Sequence, residues 1–527
     1  MKFPILLALF FAVVMSLASA GEPVAPFESR SASGPVPPFS AKIDAVVFSR
    51  QRQLGIQRAN LCSDAVFLRR VYLDVIGTLP TADEAAAFLE DKAPDKRSAL
   101  IDRLLERGEF ADYWGMRWGD LLRVKSEFPV NLWPNAAQAY DRWIRDSLRR
   151  NVPYSQFASE ILTASGSNFR NPPVNFYRAA GSKDPKALAR AVALAFMGQR
   201  AEKWPEDKQA NLAVFFSRIG FKKTDEWKEE IVYFDGIDSA HRNPAEATFP
   251  DGTTVRLQAA QDPREVFAQW LIFSKNSPFA ANAVNRVWYW LVGRGIVQEP
   301  DDMRADNPPS NPELLALLSR EFVASGCNLK HLCRGILKSN TYQLSSIPSA
   351  NQPQGAANFA FCPLRRLEAE VLIDAINQIT GSQEEYSSMI PEPFTFIPED
   401  KRSITLPDGS ITSTFLEIFG RPPRDTGLLS ERGDRTTTSQ RLHLLNSSQI
   451  LGKFDNSEKL REIFRTPGGP KAVVTKIYLT ILSRYPTDEE LKTLQAYARS
   501  GEVQGGWKVL QDLTWALLNS PEFVFRH

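Results

Sequence analysis

The chain has 527 residues, of which 43% are hydrophobic and 11% are aromatic, so it holds enough apolar material for sizeable buried cores. A chain of this length is expected to form about two to four domains. Its 63 Lys and Arg nearly balance its 61 Asp and Glu, and the composition therefore gives no reason to expect nucleic acid or a strongly anionic membrane as partner.

The first twenty residues have the pattern of a cleavable export signal. Lys2 carries a positive charge, an apolar run follows over residues 5–17, and Ala18 and Ala20 are the small residues that a signal peptidase prefers. The run is too short for a membrane span, which needs about 20 apolar residues, and no later run reaches that length. We expect cleavage near Ala20 and a mature protein in the periplasm or the extracellular space.

Two kinds of pattern follow the signal. Residues 21–40 are rich in Pro, Ser and Gly, which predicts a flexible linker. Beyond them, apolar residues recur every three or four positions, as in amphipathic helices. We predict a mainly α fold of multi-helix bundles, with an N-terminal helical domain over 41–229 and a C-terminal helical domain over 259–527. Between these halves, residues 230–258 alternate β-forming residues around two Asp-Gly turns, which predicts a small β-hairpin insertion.

A helical unit recurs near the two ends of the chain. The stretches "RVYLDVIGTLPTADEAAAFL" and "KIYLTILSRYPTDEELKTLQ" share their spacing, and each contains a Thr-x-x-Glu capping box, Thr81 with Glu84 and Thr487 with Glu490. We interpret this as the duplication of a small helical bundle whose two copies pack together. The alternative is a coincidence of common capping chemistry.

Common catalytic and metal-binding patterns are absent from the sequence. It contains no Cys-x-x-Cys, no phosphate-binding P-loop, no Gly-x-Ser-x-Gly and no His-Glu-x-x-His. The four histidines lie far apart in sequence, so we expect no haem, no metal and no other cofactor. The four cysteines either form up to two disulfides, whose pairing the sequence leaves open, or are buried free thiols; they are Cys62, Cys327, Cys333 and Cys362.

The remaining candidates for a binding site are arginine and carboxylate clusters. Within "RRLEAEVLIDA", Arg366, Glu370 and Asp374 are spaced four residues apart, which predicts that they share one face of a helix. They form either a binding cluster or an ordinary ladder of ion pairs. Arg286 lies in a predicted helix that is rich in aromatic residues.

A second cluster is acidic. Asp301 and Asp302, followed by Asp306, stand before a predicted capping box over Ser310–Glu313. Three acids near a turn suit Ca²⁺, but the six or more oxygen ligands that this ion takes are not apparent.

The third cluster lies in the stretch "FGRPPRDTGLLSERGDRTTTSQ". Arg421 and Arg432 stand there beside Glu431 and a run of hydroxyl side chains. Forked guanidinium groups next to hydroxyls suit a carboxylate, sulfate or phosphate ligand. The alternative is a loop held in place by pairs between its arginines and carboxylates.

Several long stretches resemble a known kind of protein. "FLRRVYLDVIGTLPTADEAAAFL", "NRVWYWLVGRGIVQEPDDMRADNPPSNPELLALLSREFVASG" and "ERGDRTTTSQRLHLLNS" are similar to exported planctomycete-type proteins with paired domains of unknown function, which are often found beside cytochrome c-like modules. The resemblance runs from about residue 41 to residue 527. It implies an association with polysaccharide utilisation and no established activity.

The chain departs from this resemblance at two places. Proteins of this kind usually carry a Cys-x-x-Cys-His run, the c-type haem attachment pattern, just before Glu-Lys-Trp, whereas here Arg200 and Ala201 lead directly into Glu202. They also commonly carry Cys-x-Cys before Glu-Arg, where this chain has residues 428–430, Leu-Leu-Ser. Compared with the proteins that it resembles, the chain therefore lacks both cysteine sites.

These patterns predict an exported binding or scaffold protein that holds a glycan or another exported protein without a cofactor. An alternative is a cofactor-independent carbohydrate-active enzyme that uses a carboxylate pair, Asp302 and Glu370. A c-type redox protein is disfavoured because the haem motif is absent. The sequence predicts neither the ligand nor the oligomeric state.

Overall fold

The structure is a computed structural model that describes residues 24–29, 34–236, 245–500 and 505–527. The predicted export signal and residues 21–23 and 30–33 of the predicted linker lie outside the described residues. Of the described residues, 53% are helical and 6% lie in strands, which confirms the mainly α fold. Among the described helices, none combines the length and the apolar character needed to cross a membrane.

The secondary structure consists of many short helices and a few short strands. The helices up to residue 214 are α1 (Pro38–Gln53), α2 (Asp64–Ile76), α3 (Ala82–Glu90), α4 (Lys96–Glu106), α5 (Gly108–Leu121), α6 (Pro134–Arg149), α7 (Tyr154–Leu162), α8 (Asn175–Arg178), α9 (Pro185–Val192) and α10 (Glu206–Val214). The later helices are α11 (Pro263–Phe273), α12 (Phe279–Val292), α13 (Pro312–Ala324), α14 (Leu329–Leu337), α15 (Ala369–Thr380), α16 (Thr414–Ile418), α17 (Thr438–Asn446), α18 (Ser448–Asp455), α19 (Glu458–Phe464), α20 (Pro470–Leu482), α21 (Asp488–Arg499), α22 (Gly506–Leu518) and α23 (Pro521–Val524). The strands are β1 (Glu28–Ser29), β2 (Leu61–Cys62), β3 (Gly166–Ser167), β4 (Ile219–Lys223), β5 (Glu230–Phe234), β6 (Ala245–Thr248), β7 (Thr254–Leu257), β8 (Arg365–Arg366) and β9 (Phe525–Arg526).

The predicted β insertion is confirmed in its second part and wrong in its first. Strands β6 and β7 form an antiparallel hairpin around the Pro-Asp-Gly turn, closed by a 2.8 Å bond from Phe249 N to Thr253 O. Strand β5, however, pairs antiparallel with β3 and with β4, and β4 begins at Ile219, before the predicted insertion. The five residues of β4 are too few for a stable helix, and their pairing with β5 satisfies the backbone instead.

The chain folds into two compact units, each built from separate segments. The first unit comprises Met1–Leu105, Ile336–Glu384 and Asp434–His527, and the second comprises Glu106–Gly335 and Glu385–Gly433. Each unit therefore draws on both predicted helical domains. The predicted domain boundaries along the chain stay a prediction.

The repeated helical unit lies wholly in the first unit, and its two copies contact each other. Both predicted capping boxes are formed, at the start of α3 and at the start of α21. The buried Arg69, directly before the first copy, donates to Ile481 O of the second copy at 2.7 Å and to Phe523 O, beyond that copy, at 2.9 Å. Lys476 also forms an ion pair with Asp83. The predicted packing of the copies is thus confirmed.

The core of the second unit is aromatic. Trp118 makes edge contact with Trp290, with ring centroids 5.4 Å apart, and Tyr154 stacks on Phe279 at 5.0 Å. These rings come from helices α5, α7 and α12, whose apolar faces bury them from water. Burial raises the pKa of Tyr154, since the charged phenolate is poorly solvated there.

All four cysteines are buried and free. Of the two alternatives that the sequence leaves open, the structure shows buried thiols. Burial raises the pKa of both Cys327 and Cys333, because a thiolate is disfavoured away from water.

Candidate functional site

Arg286 and Asp301, two of the predicted site residues, form a buried ion pair in the second unit. Arg286 lies on α12, as predicted, and its Nη1 is 2.7 Å from Asp301 Oδ1. Its Nη2 donates to Leu194 O at 2.8 Å. Both side chains are almost fully buried, so the two charges are separated from water and depend on each other for stabilisation.

The loop that carries Asp301 touches both segments in which the resemblance places cysteines. Leu429 N donates to Asp301 Oδ2 at 2.6 Å, and Met303 N donates to Gly198 O at 2.9 Å. Arg200 also forms a 3.2 Å ion pair with this loop. Neither segment contains a cysteine or a histidine, so covalent haem attachment does not fit the residues present.

Gly198 is required where the first of these segments turns. It ends a short π-helical segment, Ala193–Met197, with left-handed backbone at φ 64°. A Cβ at this position would lie 2.6 Å from Asn282 Oδ1 and 2.9 Å from Pro300 O, closer than packed atoms approach. Only glycine fits this close approach without strain.

Asp120 joins two arginines of the predicted arginine-rich loop. Arg424 Nε donates to Asp120 Oδ1 at 2.9 Å, and Arg432 Nη2 donates to Asp120 Oδ2 at 2.6 Å. Arg424 is buried and packs against Gly119, where a Cβ would lie 3.3 Å from the guanidinium carbon. Asp120 lies about 300 residues before its partners, and nothing in the local sequence pattern indicates this contact.

The other predicted residues of this loop are also bound within the protein. Arg421 donates to the carbonyl oxygens of Asp408 at 3.2 Å and Gly409 at 3.4 Å, and it contacts that of Ile411. Glu431 Oε1 accepts from both the backbone N and the hydroxyl of Thr426, each at 2.6 Å. The arginines and the carboxylate of this loop therefore make contacts within the protein, and the anion site stays a prediction.

Asp302 belongs to an ion cluster at the surface. Arg304 binds both of its carboxylate oxygens, at 2.8 and 3.0 Å, and also reaches Asp306 at 3.1 Å. The hydrogen bonds that Arg304 donates to the Asp302 carboxylate raise the pKa of Arg304. Across the described residues, no group of three or more His, Cys, Asp or Glu is arranged to hold a metal ion.

The capping box predicted after these acids is wrong. Asn311 caps α13, and its side chain accepts from Leu314 N at 3.0 Å. Ser310 instead donates its hydroxyl to Ile296 O at 3.2 Å. The reason is Pro312, which occupies the first helical position and so makes residue 311 the cap.

The prediction that Arg366 shares a helix face with Glu370 is wrong. Arg366 lies in β8 and pairs with Phe525 of β9, and α15 begins only at Ala369. The pairing partner lies far along the chain, and its backbone hydrogen bonds outweigh the local helical pattern. Glu370 and Asp374 do lie on α15, where both are buried. Glu370 belongs to the first unit, whereas Asp302 belongs to the second.

An open cleft that no sequence pattern predicts lies beside α6 in the second unit. The cleft has a volume of about 580 Å³. We name it the α6 cleft and define it by Ala139, Arg142, Trp143, Asp146, Arg149, Arg150, Phe169 and Pro172. The helix itself is recognisable in sequence, but the wall at residues 169–172 comes from a separate segment, so the concavity has no local sequence signal.

The second unit also carries a group of exposed aromatic rings that the sequence patterns above do not predict. Trp133 is in ring contact with both Trp227 and Phe394, and we name these three residues the aromatic patch. The same two loops as Trp133 and Phe394 also carry other exposed apolar side chains, and these are Phe128, Met389 and Phe396. The sequence feature that could have indicated this patch is the presence of tryptophans at positions 133 and 227, in polar, turn-rich stretches.

The two halves of the sequence match different family models. Residues 42–226 match the domain described as a protein of unknown function (DUF1549), and residues 263–498 match the one described as a protein of unknown function (DUF1553). No curated protein and no solved structure is detectably similar to the chain. The paired domains predicted from the resemblance are confirmed. The chain belongs to the proteins in which DUF1549 and DUF1553 occur together, one after the other.

Proposed function

We propose that this protein is a non-catalytic glycan-binding scaffold that holds sugar chains at the aromatic patch. The observation that carries the proposal is the set of exposed rings in the second unit. Trp227 is 65% exposed and Phe394 is 53% exposed, and both contact the half-buried Trp133. Large exposed apolar groups that lie together, rather than singly, are typical of interaction sites.

Trp133 links the other two rings of the patch. Trp133 makes edge contact with Trp227 at a centroid distance of 6.2 Å and with Phe394 at 6.1 Å. Glu127 accepts a 3.0 Å bond from Met389 N, which keeps two of the contributing loops side by side. A preformed surface of this kind loses little conformational entropy on binding.

The chemistry of the patch suits sugars. Aromatic rings cover the apolar C–H faces of pyranose rings, while polar groups at the rim bond the hydroxyls. Lys228 provides such a group, since its ammonium lies 4.5 Å from the ring centroid of Trp133 and 5.2 Å from that of Trp227. The polysaccharide association implied by the resemblance supports the same class of ligand.

The backbone at the patch is held in an uncommon conformation. Trp133 has φ of 76° and Lys228 has φ of 60°, values that cost non-glycine residues roughly 1–3 kcal/mol each. Such conformations persist where the surrounding structure fixes them, and they are concentrated at binding sites. This strain supports a selected role for the two positions.

Binding to a panel of insoluble and soluble neutral polysaccharides tests the proposal. We expect the double variant Trp227→Ala, Phe394→Ala to bind about tenfold or more weakly than the native chain, because the stacking surface is removed. The matched control is Phe273→Ala, which removes a ring that is 72% exposed at the end of α11, outside the patch. Equal binding by the double variant and the control would refute the proposal.

The enzymatic alternative has less support. A glycosidase needs an acid and a base or nucleophile that both face the substrate. Asp302 is bound at both oxygens by Arg304, and Glu370 is fully buried. Glycan turnover by the pure protein, lost in Asp302→Asn, would restore this alternative.

A further inference from the structure

The α6 cleft presents one face of its helix to solvent. Arg142, Asp146 and Arg149 succeed one another at three- and four-residue steps, so their side chains form a stripe along α6 that Arg150 extends at the C-cap. Phe169 faces this stripe across the cleft. The volume of about 580 Å³ lies within the ~300–1,000 Å³ that is usual for ligand pockets.

The floor of the cleft is rigid. Trp143 stacks on the buried Phe157 with a centroid distance of 4.7 Å and an interplanar angle of 16°, which fixes the plane of the indole. On the opposite face of α6, the buried Asp141 and Arg145 form a 2.7 Å ion pair. These contacts hold the helix and its aromatic ring before any ligand arrives.

The cleft carries an excess of positive charge with unused hydrogen-bond donors. Three guanidinium groups stand against one carboxylate, and that carboxylate, Asp146, is paired with Arg149. Among the residues that the structure describes, the Arg150 side chain donates to one acceptor, the carbonyl oxygen of Asp146, at 3.3 Å. Arg142 makes no hydrogen bond or ion pair with any residue in the described ranges, so its fork of N–H groups is open to a ligand.

The combination of charge and aromatic surface selects a chemical class. Guanidinium forks bind carboxylate and sulfate groups through paired hydrogen bonds. An indole and a phenyl ring beside them offer surface for the C–H face of a sugar. Nucleic acid is a poorer fit, since it requires a longer track of basic residues than one short cleft in a nearly neutral chain provides.

We propose that the α6 cleft binds an anionic sugar residue, a uronic acid or a sulfated sugar. Arg142 and Arg150 hold the carboxylate or sulfate, and the sugar ring lies against Trp143 and Phe169. The inference rests on the proposed function for the idea that the ligand is a glycan, but it rests on a separate set of residues. The second proposal adds that the bound glycan carries negative charge.

Calorimetric titration of the full chain tests the site. The ligands are a galacturonate oligomer, a sulfated galactan oligomer and an uncharged galactan oligomer of matched length. We expect at least one charged oligomer to bind, with an affinity that falls as salt rises, and the uncharged oligomer to bind at least about tenfold more weakly. Comparison of the galacturonate and sulfated galactan titrations shows whether the cleft binds a carboxylate or a sulfate group.

Variants assign the binding to the cleft. The double variant Arg142→Gln, Arg150→Gln should bind the charged oligomer about tenfold or more weakly, since charge-assisted hydrogen bonds are lost. Phe169→Ala should also lower the affinity for the charged oligomer. If the cleft bound only the anionic group, this substitution would leave the affinity unchanged. The matched control is Arg320→Gln, an exposed arginine on α13 outside the cleft, which should change the affinity less than about twofold.

Several results would overturn the proposal. One is that neither charged oligomer binds. Others are an unchanged affinity in the Arg142→Gln, Arg150→Gln variant or in Phe169→Ala, and a loss of affinity in Arg320→Gln as large as in the double variant. Tighter binding of single-stranded RNA at the same residues would also overturn it. The variant Trp227→Ala, Phe394→Ala separates the two proposals. If neutral polysaccharides do not bind at all but this variant still binds the charged oligomer through the α6 cleft, the aromatic patch fails and the cleft stands.

Discussion

Gly77 and Ser483 occupy equivalent positions at the ends of α2 and α20 in the repeated helical unit. Both have left-handed backbone, with φ of 59° and 58°. Glycine adopts this conformation freely, whereas a side chain costs about 1 kcal/mol there. Ser483 is fully buried, and its hydroxyl has no hydrogen-bond partner among the described residues. One copy of the unit thus keeps a glycine where the other accommodates strain.

We predict that Ser483→Gly raises the free energy of unfolding by about 1 kcal/mol. The substitution removes both the left-handed strain and the unsatisfied hydroxyl, and these gains exceed the added flexibility of the unfolded chain. Urea unfolding of the variant and the native chain measures the difference. Ser483→Ala is the control, because it removes the hydroxyl but keeps the strain. A Ser483→Gly variant less stable than Ser483→Ala would contradict this account.

Local features of the fold were predictable from sequence, and long-range features were not. The capping boxes at Thr81 and Thr487 form because each threonine and its glutamate lie within one helical turn. Arg366 was predicted as helical because its strand partner, Phe525, is distant in sequence. Strand β4 was missed for the same reason, since its pairing with β5 decides its conformation.

The same division holds for the candidate sites. Arg421 and Arg432 were correctly identified as part of a dense arginine loop, but the sequence left open whether they bind a ligand or the protein. In the structure Arg432 donates to Asp120, which lies on α5, a helix whose sequence indicates no relation to the loop. The α6 cleft needs both Arg142 on the helix and Phe169 on its opposite wall, and only folding brings them together.

The stability of the first unit should fall in mildly acidic solution because of His527. Burial lowers the pKa of His527 from 6.5 to about 4. The charge of Glu522 raises this pKa, and the charges of Arg69 and Arg70 lower it, but these effects are smaller than that of burial. The folded protein keeps this ring neutral while the unfolded chain takes up a proton below pH 6.5. The stability associated with the neutral ring is therefore present above pH 6.5 and is lost as the pH falls to about 4, with a loss of about 2 kcal/mol by pH 5.

Urea unfolding at pH 7 and pH 5 measures this loss, and His527→Gln is the control. Glutamine is polar but does not titrate, so the variant should lose about 2 kcal/mol less than the native chain between the two pH values. An equal loss in both proteins would show that His527 does not carry the effect.

The buried pair of Arg286 and Asp301 should be essential to the second unit. Asp301→Asn keeps an oxygen that can accept the bond from Leu429 N, but it leaves the guanidinium of Arg286 buried without its countercharge. Breaking one side of a buried ion pair costs about 3–5 kcal/mol, and we expect that loss in urea unfolding, together with faster trypsin cleavage after Arg432. Asp306→Asn is the matched control, because this carboxylate is 73% exposed in a surface pair with Arg304 and its loss should cost under about 1 kcal/mol. If the two variants were equally stable, the free energy of the second unit would not depend on the buried pair, and the loop at Leu429 would have to be held by Asp120 and its arginines alone.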